Sequence, residues 1–264
     1  VRQRTGVGNY VYPILEALCA QHPDSTFLLY SNDTVHFGER PNVRLRVSRP
    51  KRRGPWWQCT QLRQMLVADQ PDVYWGTNGL LPFPVVPGVA TVLTVHDFVY
   101  HFAGQSLPRV SYWGRRLFQP QAVRQADRII TVSQATAADL ERLSGRAVHA
   151  VVRPSVSPAF RHVDAAECER VRRKLDLPPV FLLSLGTREP RKNLIALLAA
   201  HEQVSRLEPA LPPLLVAGGG GWKNAGILDA LAAGQAAGAV RPLGFVDAGD
   251  LPALYALCQA FVMP

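Results

Sequence analysis

No apolar run in the 264 residues approaches the roughly 20 needed to cross a bilayer, and nothing at the start reads as a secretory leader. Those gaps lead to the expectation of a soluble, cytoplasmic protein. Cysteine is scarce. Cys19, Cys59, Cys168 and Cys258 lie far apart and without metal-ligand spacing, so they read as reduced thiols, mostly buried, with no disulfide framework or structural zinc expected. Internal repeats and low-complexity tracts are also missing, so a repeat array is not expected. Acidic residues are outnumbered: 20 Asp and Glu face 29 Lys and Arg, for a net charge of +9. Such a balance suits nucleic acid in principle. The sharpest basic cluster, Arg49 to Arg53, runs instead into Gly54, Pro55, Trp56 and Trp57. Cations beside tryptophans in a Pro/Gly loop suit either an anionic membrane surface or a plain solvated loop with one ring tucked inward. Nucleic acid is therefore not the expected partner.

What is present is ordinary globular material, 47% hydrophobic, enough for one or two domains with ample cores. Strand-like runs at 26–30, 43–47, 73–75, 89–95, 128–132, 148–151, 181–185 and 214–217 alternate with helical patterns, the signature of parallel sheets wound on both faces. Val11, Ile14, Leu15 and Leu18 share one face of a helix over 10–21, and Ser133 is placed to cap a helix over 134–143. Pro154 and Pro158 bracket a short polar link, followed by a charged helix near 165–175. The reading is two Rossmann-like domains, 1–155 and 156–264, facing a cleft.

Ligands of such sheets bind where strands end, so the loops after strands carry the chemistry. The most informative is Gly186-Thr-Arg-Glu-Pro-Arg-Lys-Asn193, where an apolar strand breaks at Gly186 and delivers Arg191 and Lys192 to the start of a helix over roughly 193–206. A helix start offers unpaired N–H groups and a positive dipole end, and two cations there work against the dipole unless an anion offsets them. The spacing predicts a diphosphate site. Thr94-Val-His-Asp97 ends another strand: His96 could bond a sugar hydroxyl or move a proton, with Asp97 orienting the ring or capping the next helix. Arg4-Thr-Gly-Val-Gly-Asn9 is either a phosphate- or sugar-contacting glycine loop or a tight turn. Gly218 to Gly221, followed by Trp222 and Lys223, is either a mobile connector or a turn passing close to a donor. In Gly244-Phe-Val-Asp247, Phe245 and Val246 could bracket a nucleobase, while Asp247 or Asp250 caps a helix near Leu251.

Five of these stretches, Arg4 to Tyr10, Thr94 to Asp97, Ala126 to Ser133, Gly186 to Asn193 and Gly244 to Asp247, occur in an order that closely resembles glycosyltransferase family 4. The resemblance implies the GT-B fold, two facing Rossmann-like α/β domains, and retaining, metal-independent transfer from a nucleotide-sugar without a further cofactor. Its branch looks like bacterial mannosyltransferases of cell-surface polysaccharide, which makes GDP-mannose the first donor expected and a saccharide or lipid-linked molecule the acceptor. Carried over, Arg191 and Lys192 would hold the diphosphate and His96 the sugar. Gly8, Gly186, Thr187, Gly218 and Gly219 would line the donor, Phe245 and Val246 the base, and Asp97 and Ser133 would be structural. The first domain would take the acceptor and the second the donor. Peripheral contact with the inner face of the plasma membrane is the expectation attached to Arg49–Trp57. The family's opening strand and its later pair of glutamates are not found here, so a fragment lacking both ends, its second domain incomplete and its activity reduced, is expected. A sugar-nucleotide epimerase, another GT-B enzyme and a noncatalytic binding module are the alternatives.

Overall fold

The computed structural model describes residues 6–33, 37–48, 54–160, 162–222 and 224–264. Arg4 and Thr5 of the first glycine motif, the basic cluster 49–53 and Lys223 lie outside them. The chain divides into two units, Val1–Ser155 and Val156–Pro264, and every strand pair in both is parallel.

The first unit opens with α1 (Gly6–Gln21), followed by β1 (Phe27–Ser31) and β2 (Val43–Val47), which pair with each other. Next come α2 (Gly54–Trp57), a π turn over Gln58–Leu62, and α3 (Arg63–Asp69). The order continues β3 (Val73–Gly76), β4 (Ala90–Val95), α4 (Val99–Phe102), α5 (Arg109–Gln125), β5 (Arg128–Thr131), α6 (Gln134–Ser144) and β6 (Ala150–Val151). Strands β3 to β6 form a four-stranded sheet in sequence order. Its core is apolar: Leu93 and Val95 of β4 and Ile129 of β5 pack with Ala122 and Val123 of α5 and Leu140 of α6. A second cluster sets Leu62 and Leu66 against Tyr30 of β1 and Tyr74 of β3, so one helical face covers residues from both sheets.

In the second unit, α7 (Ala165–Lys174) starts at Asp164, whose carboxylate accepts from the Glu167 amide at 2.7 Å. Then follow β7 (Leu182–Leu185), α8 (Leu194–Leu207), β8 (Leu214–Ala217), α9 (Ala225–Ala236), β9 (Val240–Gly244), α10 (Leu251–Leu257) and β10 (Ala260–Phe261). The sheet order is β10-β7-β8-β9. Phe181, Leu183 and Leu215 pack against α7 and α10 on one face, while Leu214 and Val216 meet α8 and α9 on the other, the two-sided burial a parallel sheet requires. All four cysteines are free thiols; Cys19 is buried and the others are half-buried. Among the described residues, no helix is long and apolar enough to cross a membrane.

Candidate active site

Because β7, β8 and β9 run parallel, their carboxyl ends bring Gly186, Gly218 and Gly244 to one edge of the sheet. Backbone bonds tie the three loops together there. The Gly186 amide donates to the Ala217 carbonyl at 3.0 Å, the Gly218 amide to Gly244 at 2.7 Å, and the Arg188 amide to Gly219 at 3.1 Å, with an isolated parallel bridge between Arg188 and Gly220. Glycine is required by the approach. A Cβ on Gly218, whose φ is 131°, would lie 2.0 Å from the Gly186 carbonyl oxygen, and one on Gly221 would lie 2.4 Å from that of Arg188. The Gly218–Gly221 turn is thus strapped to the neighbouring loop by backbone contacts.

Along the first loop, Thr187 is exposed and Pro190–Lys192 forms a single 3-10 turn closed by the Lys192 amide on the Glu189 carbonyl. Asn193 takes a left-handed φ of 51°, and α8 begins only at Leu194. Arg191 and Lys192 therefore precede the helix rather than occupy its first turn. Arg191 also has an anion of its own: its guanidinium donates at 2.5 Å to Glu189, a carboxylate 2% exposed. The other Glu189 oxygen is buried without a hydrogen-bond partner. Glu189 offsets part of the Arg191 charge and fixes the guanidinium, which keeps further donors. The Lys192 stem runs back toward Gly186, its Cε 3.8 Å from where a Cβ there would stand. Arg188 lies half-buried over the Gly219 carbonyl. Neither Arg188 nor Glu189 was singled out from the sequence; an acid two positions before an arginine in a loop carries no periodic signal.

At the third loop, Phe245 is exposed whereas the Val246 side chain packs into the core with Leu183 and Leu254. Val246 can therefore offer a base only backbone groups. Asp250 sits at the start of α10 but makes no side-chain cap. Its buried carboxylate accepts from Arg170 at 2.6 Å and Lys174 at 2.7 Å, and Lys174 also reaches Asp247. Burial pushes the Asp250 acid up, and the bonds from Lys174 and Arg170 more than offset it, holding it below the ordinary value. This network clamps the Phe245 loop to α7 instead of capping the helix, because two cations compete better for the carboxylate than neutral amides.

The first unit has its own cluster at strand ends. His96, after β4, places Nε2 2.8 Å from the Thr77 carbonyl after β3, and its ring meets Tyr10 of α1 edge to face at 5.2 Å. A carbonyl only accepts, so Nε2 carries a proton and donates, and Nδ1 is the ring nitrogen not engaged in that bond. Tyr10 is buried and hydrogen-bonds Thr94; its pKa is raised, chiefly by burial. Asp97 makes a local turn: its carboxylate accepts from the Val99 amide at 3.2 Å, while the N-cap of α4 is Phe98, without a side-chain cap. Ser133 accepts from the Thr136 amide at 3.1 Å, and the Thr136 hydroxyl donates to the His96 carbonyl at 3.2 Å. Gly8 lies within the first turn of α1, not in a loop before it; amides of that turn still lack intrahelical partners. A cavity of about 530 Å³, lined by Leu45, Arg46, Gln64 and Met65, opens between β2 and α3, where no expected site residue lies.

A sequence model of Glycosyltransferase Family 4 matches residues 4–160. O-antigen chain mannosyltransferase B of Escherichia coli is 30% identical over 197 residues, covering 73% of this chain and 50% of that protein, so the chain spans about half the length of this relative. Among solved structures, WaaG, a glycosyltransferase involved in lipopolysaccharide biosynthesis, superposes with a TM-score of 0.72 at 14% identity over 99% of this chain and 72% of its own. Anabaena HepE, solved with UDP and glucose, gives a TM-score of 0.66 at 16% identity, covering 99% and 71%. The fold is that of these GT-B proteins: parallel sheets in both units with glycine loops at the strand ends. With the matched region reaching from α1 through β6 and embracing His96 and Ser133, the chain belongs to glycosyltransferase family 4.

Proposed function

We propose that this chain carries the core of a retaining hexosyltransferase that moves mannose from GDP-mannose to a saccharide or lipid-linked acceptor in cell-surface polysaccharide synthesis. The observation that carries the reading is the strapping of three glycine loops at one sheet edge beside Arg191 and Lys192. The Gly186, Gly218 and Arg188 amides are spent on the strapping, and the two cations it sets beside the sheet edge suit the diphosphate of a nucleotide-sugar. In the transition state negative charge grows on that leaving group, and cations fixed beforehand stabilise it without reorganising. Glu189 supplies the fixing for Arg191. In the second unit Thr187, Gly186, Gly218 and Gly219 line the donor, and Phe245 with the Val246 backbone flanks the base. For the first unit, which takes the acceptor, the reading gives Gly8 a contact with the phosphate or the acceptor and gives His96, through Nδ1, a hydroxyl of the transferred sugar. The relative's name supports mannose and O-antigen chemistry, and the HepE complex supports a nucleotide-linked donor. No metal or cofactor is needed for this scheme. The protein works on the cytoplasmic side, with peripheral contact at the inner face of the plasma membrane through Arg49–Trp57.

Turnover of GDP-mannose followed by proton NMR with mannosyl acceptors tests the reading. Release of GDP with an α-configured product is expected. A β-configured product, or transfer from UDP-glucose and not from GDP-mannose, would refute it.

A further inference from the structure

One turn apart on α5, Arg115 and Gln119 meet beside the loops that follow β3 and β4. Gln119 is 1% exposed and both ends of its amide are engaged: Nε2 donates to the Asp97 carbonyl at 3.1 Å, and Oε1 takes the Arg115 guanidinium at 3.5 Å. That second bond is long. On its other side the guanidinium lies against the turn after β3, because a Cβ on Gly79, whose φ is 81°, would stand 3.8 Å from Arg115 Nη1. The same two loops flank His96, which precedes Asp97 and bonds the Thr77 carbonyl through Nε2. The fold therefore holds Arg115 beside the strand-end histidine. Its bonding is poor for a half-buried cation. Arg146 and Arg172, also half-buried, donate to backbone carbonyls at 2.7 and 2.8 Å, whereas among the described residues Arg115 has one amide oxygen at 3.5 Å and no carboxylate in ion-pair contact. Taking a charge from water without a matching anion is costly. Helix α5 contains no acid that could supply one, and the Asp97 carboxylate is turned to the Val99 amide. Burial raises the Tyr100 pKa, and Arg116 and Arg115 draw it back down, so a second guanidinium shares this positive patch. Exposed Asn78, beside Gly79, has its Oδ1 on Gln58 Nε2 at 3.3 Å, which leaves its NH2 group as a further donor at the turn.

We propose that Arg115, backed by Gln119 and the Asn78–Gly79 turn, binds a phosphoryl group carried by the acceptor. Guanidinium and amide NH2 groups donate and do not accept, so the complementary ligand is anionic and rich in acceptor oxygens. A saccharide hydroxyl would leave the charge uncompensated, whereas a phosphoryl group presents two oxygens to the planar fork and neutralises it. Phosphate esters on a lipid-linked sugar and on a soluble one share this chemistry. Calling the ligand an acceptor rests on the transferase reading above; the anion site itself rests on Arg115 and its surroundings.

Calorimetric titration in an Arg191→Ala/Lys192→Ala background, which removes the cations assigned to the donor, tests it with methyl α-mannoside, methyl α-mannosyl phosphate and farnesyl α-mannosyl phosphate. The same probes are titrated after adding Arg115→Gln or Arg115→Lys, each variant melted beside its parent to certify its fold. Both phosphates are expected to bind at least about tenfold more tightly than methyl α-mannoside, the scale of one charge-assisted hydrogen bond. That preference should vanish with Arg115→Gln and survive only in part with Arg115→Lys, which keeps the charge without the fork. Tighter binding of the farnesyl probe would support the site with a lipid-linked source, and equal binding of the two phosphates would support it with a soluble one. Phosphorylated and neutral probes that bind alike, or fail to bind alike, would overturn the proposal, and so would a phosphate preference that survives Arg115→Gln. If Arg115→Gln melts early, Arg115→Lys decides: phosphate affinity equal to the parent's would overturn the fork. Failure of the donor reading shows separately, as GDP binding that survives the Arg191→Ala/Lys192→Ala change.

Discussion

Replacing Gly218 with alanine should unfold the second unit at markedly lower denaturant, and the size of the effect follows from geometry. At φ of 131° an L side chain is strained by about 1–3 kcal/mol. The new Cβ would also meet the Gly186 carbonyl at 2.0 Å, with the Gly186 carbonyl carbon at 2.7 Å. Backbone held in a sheet cannot swing aside like a side-chain tip, and relieving such overpacking costs about 1–3 kcal/mol more. The total is about 2–6 kcal/mol, which at about 4 °C per kcal/mol lowers Tm by roughly 8–24 °C. Gly219→Ala is the internal control. Its Cβ would meet nothing within 4 Å, so a change under about 0.5 kcal/mol is expected. Urea unfolding of both variants, with unchanged m-values, decides the matter. If the two changed stability equally, the close approach of the β7 and β8 loops would be refuted, along with the site drawn from it.

Three further outcomes follow from named contacts. Ser133→Ala should cost about 1 kcal/mol in denaturant unfolding, since it removes the acceptor for the Thr136 amide. Asp250 has a folded pKa below its unfolded value, so its contribution is present above about pH 3.9 and is lost as pH falls through the folded pKa; Tm profiles of the parent and Asp250→Asn should differ at neutral pH and converge in acid, and parallel profiles would contradict the clamp. His96→Ala should weaken GDP-mannose binding about 2- to 12-fold, the worth of one hydrogen bond, while leaving GDP binding unchanged in the same calorimetric series.

Most of the sheet framework is legible in the sequence because buried parallel strands are short apolar runs: 43–47, 128–132 and 214–217 coincide with β2, β5 and β8 to within a residue. The strand β9 is not, since Val240-Arg-Pro-Leu-Gly244 carries a proline, tolerated because β9 is the sheet's edge. Helix α5 hides for a related reason: Gly114 and Pro120 break the pattern, and its stripe of Val110, Trp113 and Leu117 faces outward rather than into a core. The site loops are legible from their glycines and cations. Their pairings are not. That Glu189 is buried against Arg191, that Asp250 takes two cations instead of capping, and that Val246 turns into the core all depend on what the fold packs nearby. The sequence likewise contains no cue that Thr77 and Tyr10, far apart in the chain, meet His96 from two sides.

The central claim is that Arg191 and Lys192 serve a nucleotide diphosphate, and calorimetric titration with GDP, UDP, GDP-mannose and UDP-glucose tests it most directly, run beside Arg191→Ala/Lys192→Ala. Selective binding of GDP and GDP-mannose, weakened at least about 100-fold in the double variant because two charge-assisted contacts are lost, is the predicted result. Binding that survives the double substitution, or no binding of any of the four, would contradict it.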